Sequence, residues 1–198
     1  MIILLTGKAA TGKSTVADYL ERYYGFQQDQ LAAPLKRLTS DIFQVPMEIL
    51  NPETPENRLR REAELDDWPD WTPRKLLQFI GTELFRTQIR DDIWVRSLWL
   101  RVSRLGGNWT IPDVRFPNEQ SFFTDRLPNT EVVTFNIVRP GYEGGVGLKG
   151  HASESHVLSY DYQIDNDADF SCLYQQVDAI MATLGPKVKV QKMIPLSA

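Results

Sequence analysis

Two hydrophobic patterns alternate along the chain: short continuous apolar runs, and longer stretches with a helical period. The run IILL at residues 2–5 is continuous, which is typical of a strand buried on both faces of a parallel sheet. A helical apolar face follows, made of Val16, Ala17, Leu20 and Tyr24. Gly25 ends this helix, a weaker strand is predicted at 26–31, and Pro34 opens the next helix.

The same two patterns continue to residue 185. Further strands are predicted at 109–114, 132–138 and 162–164. Further helices are predicted at 58–65, from Thr72-Pro73, from Asp91 or Asp92, from Pro117, and over 173–184. Strands that alternate with helices predict an α/β fold in which a parallel sheet is covered on both faces.

Composition narrows the class of protein. The chain has 198 residues, 42% hydrophobic, and a net charge of -4, which argues against a protein whose main task is to coat nucleic acid. Cys172 is the single cysteine, so no internal disulfide can form. MIILL is too short for a signal peptide core, and no stretch has the length of a membrane span. We expect a soluble cytoplasmic protein with no membrane or direct nucleic-acid partner.

The stretch GKAATGKS, residues 7–14, matches the pattern GxxxxGK[ST] between a predicted buried strand and an amphipathic helix. Glycines let such a loop curl so that backbone N–H groups point at an anion, and the helix N-terminus adds positive charge. The alternative is a glycine-containing turn that binds nothing, but the strand–loop–helix context favours a nucleotide triphosphate. We expect Lys13 to reach the terminal phosphates and Ser14 to ligate Mg²⁺. The predicted ATP-contacting residues here are Gly7, Lys8, Ala9, Ala10, Thr11, Gly12, Lys13, Ser14 and Thr15.

Four further segments resemble one family, the bacteriophage-type deoxynucleoside monophosphate kinases. They are QLAAPLK (30–36), LLQFIGTEL (76–84), IPDVRFPNE (111–119), and NIVRPG (136–141) followed by HASE (151–154). DYQIDND (161–167) resembles the last strand and adenine-side loop of small-molecule P-loop kinases in general. The resemblance implies a three-layer P-loop kinase fold with a central parallel sheet, a helical monophosphate-binding insertion and a mobile lid. It also implies transfer of the γ-phosphoryl of ATP, with Mg²⁺, to a deoxynucleoside monophosphate for DNA precursor synthesis.

The resemblance also suggests how the chain is divided. It implies one kinase domain over 1–185, followed by a C-terminal tail at 186–198. The predicted parts are a core at 1–45, 109–139 and 160–185, an insertion at about 46–105, and a lid at about 140–157. The stretch 45–71 is compact and acidic, and this segment varies in the family, so no base preference is implied. Kinases of this type often pair, and a homodimer is one expectation.

Phosphoryl transfer needs charge neutralisation and in-line positioning, so cations should converge from several segments. The matching segments supply Lys36 after the second strand, Arg74 in a first helical turn, Arg115 after a strand, and Arg139 at the end of the next. Lys13, Arg115, Arg139 and Asp113 are predicted to be catalytic. Asp113 ends the strand WTIPD, where it could hold a water on Mg²⁺ or orient the accepting phosphate. The alternatives are solvated surface cations and, for Asp113, a helix cap.

An acceptor base needs a stacking face and a polar edge. Trp94 is the candidate platform on which the base would stack, and its alternative is an indole packed in the core. Gln78 is the candidate that would hydrogen-bond the base edge, and its alternative is a partly buried amide bonded to backbone. The glycine-rich stretch 141–150 is predicted to form the lid, or else a surface loop. His151 and Glu154 are predicted to anchor that lid or orient phosphates. Asn166 is predicted to line the adenine of ATP, with a plain strand-to-helix turn as the alternative.

Two other functions remain open at this point. A P-loop kinase of a nucleoside or sugar would need a carboxylate base to accept a hydroxyl proton, whereas a monophosphate acceptor needs extra arginines. The other alternative is a non-catalytic nucleotide-sensing module or a motor ATPase; such motors usually need a hydrolytic glutamate beside the strand-end aspartate, and IPDVRF has no adjacent acid. The arginines therefore favour the monophosphate acceptor.

Overall fold

A computed structural model of the chain describes residues 1–127, 131–141 and 158–185. Contacts divide the chain into two units, one formed by 1–30 and the residues from 98 onward, the other by 31–97. Within the described ranges, no helix has the length and apolar character needed to cross a membrane. The predicted insertion and tail bounds stay predictions, and the predicted lid lies almost wholly outside the described residues.

The first unit is built on a five-stranded parallel sheet. Its strands are β1 Ile2–Thr6, β2 Gln27–Gln28, β3 Trp109–Ile111, β4 Val132–Val138 and β5 Tyr162–Asp165. Their order is β2-β3-β1-β4-β5, and every pair is parallel. Because β1 lies at the centre, both of its faces are covered, and Ile3, Leu4 and Leu5 are completely buried.

Helices make up most of the rest of the described chain. In order they are α1 Lys13–Tyr24, α2 Ala33–Phe43, α3 Met47–Leu50, α4 Pro55–Glu62, α5 Pro73–Gln78, a π-helix over Phe79–Arg86, α6 Ile93–Leu105, α7 Pro117–Thr124 and α8 Phe170–Leu184. Gly25 ends α1 in a left-handed conformation, and the Thr72 hydroxyl caps α5 by accepting from the Lys75 N–H.

Side chains from alternate strand positions form the two inner layers of the first unit. One face of the sheet, including Ile3, Phe135 and Ile164, packs against the apolar faces of α1 and α8. On the other face, the Gln120 amide of α7 donates to Thr134 of β4 at 3.0 Å, and Trp99 packs edge-on against the rings of α7. Helices therefore cover both faces, which confirms the predicted three-layer α/β class.

Two predicted strands are shorter than expected. The expected strand at 26–31 is reduced to β2, and the expected strand at 109–114 ends at Ile111. Pro112 has no N–H to donate to a sheet ladder, so β3 stops before it. The chain turns there, and Asp113 lies just beyond the strand rather than at its last position.

The regular elements of the second unit are helices, and Leu65 and Trp68 form one isolated β-bridge. Its stretch 46–71 holds two helices, α3 and α4, where the pattern predicted one over 58–65. Gly81 does not interrupt the chain after α5, because the π-helix continues directly through it. A Cβ added at Gly81 would lie 2.8 Å from Leu35 Cδ2, so this glycine allows α2 to pack closely.

Candidate functional site

The loop between β1 and α1 adopts a conformation that its glycines make available. Gly7 and Gly12 have φ angles of 129° and 108°, and Ala10 has φ 58°. A Cβ at Gly7 would lie 2.2 Å from the Ile137 carbonyl oxygen, so no side chain is accommodated there. The loop thus lies directly against the end of β4, and α1 begins immediately after it with Lys13.

Lys13 folds back over this loop. Its Nζ donates to the carbonyl oxygens of Gly7 at 2.7 Å and Lys8 at 2.5 Å. Thr11 is buried, and its Oγ1 donates to the same Lys8 oxygen at 3.0 Å. Ser14 lies exposed in the first turn of α1. A cation, a helix N-terminus and an exposed hydroxyl therefore surround one curled loop, an arrangement suited to an anion such as phosphate.

The neighbouring strands deliver four more predicted site residues to the same edge of the sheet. Asp113 and Arg115 follow β3, Arg139 directly follows β4, and Asn166 directly follows β5. All these strands run parallel to β1, so their carboxyl ends share the edge at which the loop lies. Arg115 and Arg139 are exposed, and Asp113 is half-buried.

Glu119 is a residue of this region that sequence reasoning missed. It lies at the third position of α7, is only 2% exposed, and its Oε2 accepts from the backbone N–H groups of Arg115 at 2.8 Å and Phe116 at 3.1 Å. The carboxylate thus fixes the backbone that carries Arg115. A glutamate at the third helical position after a proline-started turn is the signal that could have indicated it.

A second missed contact lies at the end of β2. Asp29 receives two hydrogen bonds from the guanidinium of Arg101, Nε to Oδ2 at 2.6 Å and Nη2 to Oδ1 at 3.1 Å. Arg101 Nη2 also donates to the Gln30 carbonyl at 3.0 Å. Asp29 is a carboxylate at the carboxyl end of a parallel strand, but both of its oxygens are engaged by one bidentate cation.

The remaining described candidates lie in the second unit. Lys36 Nζ donates to Asn51 Oδ1 at 2.6 Å, and Arg74 Nε donates to Glu62 Oε1 at 2.5 Å. Gln78, the last residue of α5, is half-buried.

Trp94 lies among the buried residues of the second unit. It is 7% exposed, its Nε1 donates to the Gly81 carbonyl at 2.9 Å, and its ring lies 5.1 Å from that of Phe85. The indole is thus largely buried, and its use as a stacking platform for a base stays a prediction.

The second unit also contains an apolar cavity of about 290 Å³. Its walls include Phe43, Trp68 and Trp71, together with the π-helix pairs Phe79/Leu84 and Ile80/Phe85. Hydrogen bonding from i to i+5 brings residues five apart onto one side, which an α-helix would not do. The π-helix is therefore what directs both pairs into the cavity.

Two predicted site residues, His151 and Glu154, lie outside the described residues. Across 1–127, 131–141 and 158–185, no group of three or more His, Cys, Asp or Glu side chains could hold a metal ion.

Comparison with known proteins gives one extended sequence similarity. No family model matches the chain. A protein of Acanthamoeba polyphaga mimivirus named "Putative deoxynucleotide monophosphate kinase" is 27% identical over 196 residues, covering 89% of this chain and 94% of that protein. An unliganded sugar kinase from Janibacter sp. HTCC2649 aligns over 94% of this chain and 96% of its own, at 15% identity and a TM-score of 0.46.

Proposed function

We propose that the protein is a kinase that transfers the γ-phosphoryl group of ATP to a deoxynucleoside 5′-monophosphate. The observation that carries this is the curled loop at 7–12, with Lys13 folded over it, at the sheet edge to which Arg115 and Arg139 are also delivered. The 27% identity to a viral protein with a deoxynucleotide monophosphate kinase name, along nearly the whole chain, supports the same choice of acceptor.

The residues of the loop suit ATP with Mg²⁺. Bound ATP would supply the phosphoryl group, cradled by the backbone N–H groups of the loop. Mg²⁺ at nucleotide sites keeps several waters and takes only one or two protein ligands beside the phosphates, so the exposed Ser14 hydroxyl fits the role. Lys13 would neutralise charge on the transferring group, and Asp113 would orient a water or the accepting phosphate.

The cations at the sheet edge favour a phosphate acceptor over a hydroxyl acceptor. A nucleoside or sugar kinase needs a carboxylate that can accept the hydroxyl proton. Asp29 lies at the end of β2 with both of its oxygens bound by Arg101, and we assign Asp113 to a water or to the accepting phosphate. A monophosphate needs no such base but needs cations to grip it, and Arg115 and Arg139 are exposed where the strands end.

A panel of acceptors tests the proposal. The protein would be incubated with ATP and Mg²⁺ against the four deoxynucleoside monophosphates, the ribonucleotides, the deoxynucleosides and a set of hexoses, with products separated by chromatography. We expect diphosphates from one or more deoxynucleoside monophosphates. Phosphorylation of only nucleosides or sugars, or ATP hydrolysis stimulated by DNA with no phosphorylated nucleotide, would overturn it.

Arg115 and Arg139 together form the proposed acceptor clamp, the pair of guanidinium groups that would bind the accepting phosphate. Variants of these two arginines test the clamp separately. Arg115→Gln and Arg139→Gln should each lower kcat/KM for the monophosphate by about 10- to 100-fold, because a hydrogen bond to a charged group contributes about 1.5–3 kcal/mol. The matched control is Arg104→Gln, which removes an exposed guanidinium near the end of α6. If neither site variant differs from the control, the clamp assignment is wrong.

A further inference from the structure

A loop that points its backbone N–H groups at an anion turns its carbonyl groups the other way. Each of those carbonyls then needs a donor of its own, because an unpaired buried backbone group is costly. Lys13 supplies the donor for two of them, Gly7 and Lys8. The carbonyl of Thr11 belongs to the same loop and needs a donor as well.

Asn166 supplies that donor from a distant part of the chain. Its side-chain Nδ2 donates to the Thr11 carbonyl at 2.8 Å, across 155 positions of sequence. Its own backbone N–H donates to the Val138 carbonyl at 2.7 Å. The residue is therefore anchored at the end of β4 by its main chain and holds the phosphate loop by its side chain.

Gly12 provides the space in which this contact is made. A Cβ at Gly12 would lie 2.7 Å from Asn166 Nδ2. The glycine is required both by its φ of 108° and by the amide that packs against it. Loop and amide thus occupy complementary positions, with the amide filling the volume that a side chain at position 12 would take.

We infer that Asn166 is a positioning residue for the triphosphate: it holds the loop in its anion-binding conformation through Thr11 and does not act by reading adenine. This inference rests on the triphosphate site of the proposed function and is independent of the acceptor. A preorganised loop binds an anion without having to be ordered first. Removing the Asn166 side chain should therefore weaken binding of any ligand that the loop binds.

The test uses a ligand with no base. Binding of ATP and of inorganic tripolyphosphate to the full chain would be measured by titration calorimetry, for the wild type and for Asn166→Ala. A neutral hydrogen bond contributes about 1 kcal/mol, so we expect both ligands to bind about five- to tenfold more weakly, by the same factor. The matched control is Gln163→Ala, an exposed amide on β5 that bonds Asp165 and should leave both affinities unchanged.

A second variant keeps the test decisive if the first does not fold. Asn166→Leu has nearly the same shape without a donor, so it fills the space beside Gly12, and thermal unfolding would verify that it is folded at the assay temperature. Equal losses for the two ligands in a folded variant support the inference. A loss of affinity for ATP alone would mean that Asn166 contacts adenine. Unchanged affinities for both ligands would mean that the loop keeps its conformation without the Asn166 hydrogen bond. Either result overturns the inference.

Discussion

Single buried polar side chains fix the backbone at several points in the first unit, and Glu119 is the clearest case. Its carboxylate is almost fully buried and accepts hydrogen bonds from the backbone N–H groups of Arg115 and Phe116. The hydrophobic pattern did not indicate these contacts, because periodicity marks the buried face of a helix by its apolar residues. Glu119 is a charged residue that is nevertheless buried. Its place at the third position of a helix started by proline was the available signal, and the structure shows the two backbone contacts that result.

Replacing Glu119 should therefore destabilise the protein. We expect Glu119→Ala to lower the free energy of unfolding by about 2 kcal/mol, because two backbone N–H groups lose a charged acceptor. Urea unfolding measures this directly, with Glu83→Ala, an exposed glutamate of the π-helix, as the matched control. An equal small effect in the two variants would contradict the structural role of Glu119.

A second residue-scale prediction concerns alkaline pH. Tyr19 and Tyr24 of α1 both donate to one oxygen of Asp178 on α8. Burial, followed by this hydrogen bond, raises the pKa of Tyr19 from 10.0 to about 12, and raises the pKa of Tyr24 as well. The neutral hydroxyls favour the folded state, so their contribution is complete below pH 10 and is lost as the pH rises through the folded pKa values.

The free energy of unfolding should therefore fall between about pH 10 and pH 12, since the unfolded state releases tyrosine protons first. The double variant Tyr19→Phe with Tyr24→Phe should show a smaller fall over that interval. Tyr160→Phe removes an exposed tyrosine and serves as the control. Urea unfolding at stepped pH gives the measurement, and an unchanged slope in the double variant would contradict the linkage.

Elements buried on both faces were the best predicted. The expected bounds of β4 match the structure, and β1 differs by a single residue, because continuous apolar runs leave little ambiguity. The ends of β2 and β3 were less well predicted, since they depend on neighbouring strands and on Pro112.

The π-helix could not have been anticipated from the sequence. The spacing of Leu76, Leu77 and Ile80 is equally compatible with an α-helix, and the close packing of Leu35 on Gly81 is a tertiary feature.

Glycines at two element boundaries should respond differently to the same substitution. Gly7→Ala places a Cβ against the Ile137 carbonyl and should abolish ATP binding, because the loop must move. Gly25→Ala meets no atom within 4 Å and should only lower stability, by about 1 kcal/mol for a left-handed alanine. Calorimetric titration with ATP and thermal unfolding distinguish them. Normal ATP affinity in a folded Gly7→Ala protein would contradict the loop's assigned role.

At the scale of the whole molecule, the sequence predicted features that depend on residues close together in the chain better than contacts between distant residues. The loop at 7–14, and the placement of Asp113, Arg115 and Arg139 after their strands, were predicted from motif, segment resemblance and topology together, and the roles of these residues stay predictions. The Asp29–Arg101 pair was not, since its partners are separated by 72 positions and no local pattern links them. For Asn166 the position was predicted, but its contact with Thr11 spans 155 positions and only the structure shows it.

The fate of the γ-phosphoryl group tests the central proposal most directly. The protein would be incubated with Mg²⁺, ATP labelled at the γ-phosphate and each deoxynucleoside monophosphate in turn, and the labelled products separated. Transfer predicts label in a deoxynucleoside diphosphate, with no label gained by the matching deoxynucleoside in a parallel reaction. Label recovered only as inorganic phosphate, or on a nucleoside or sugar hydroxyl, would contradict the proposed reaction.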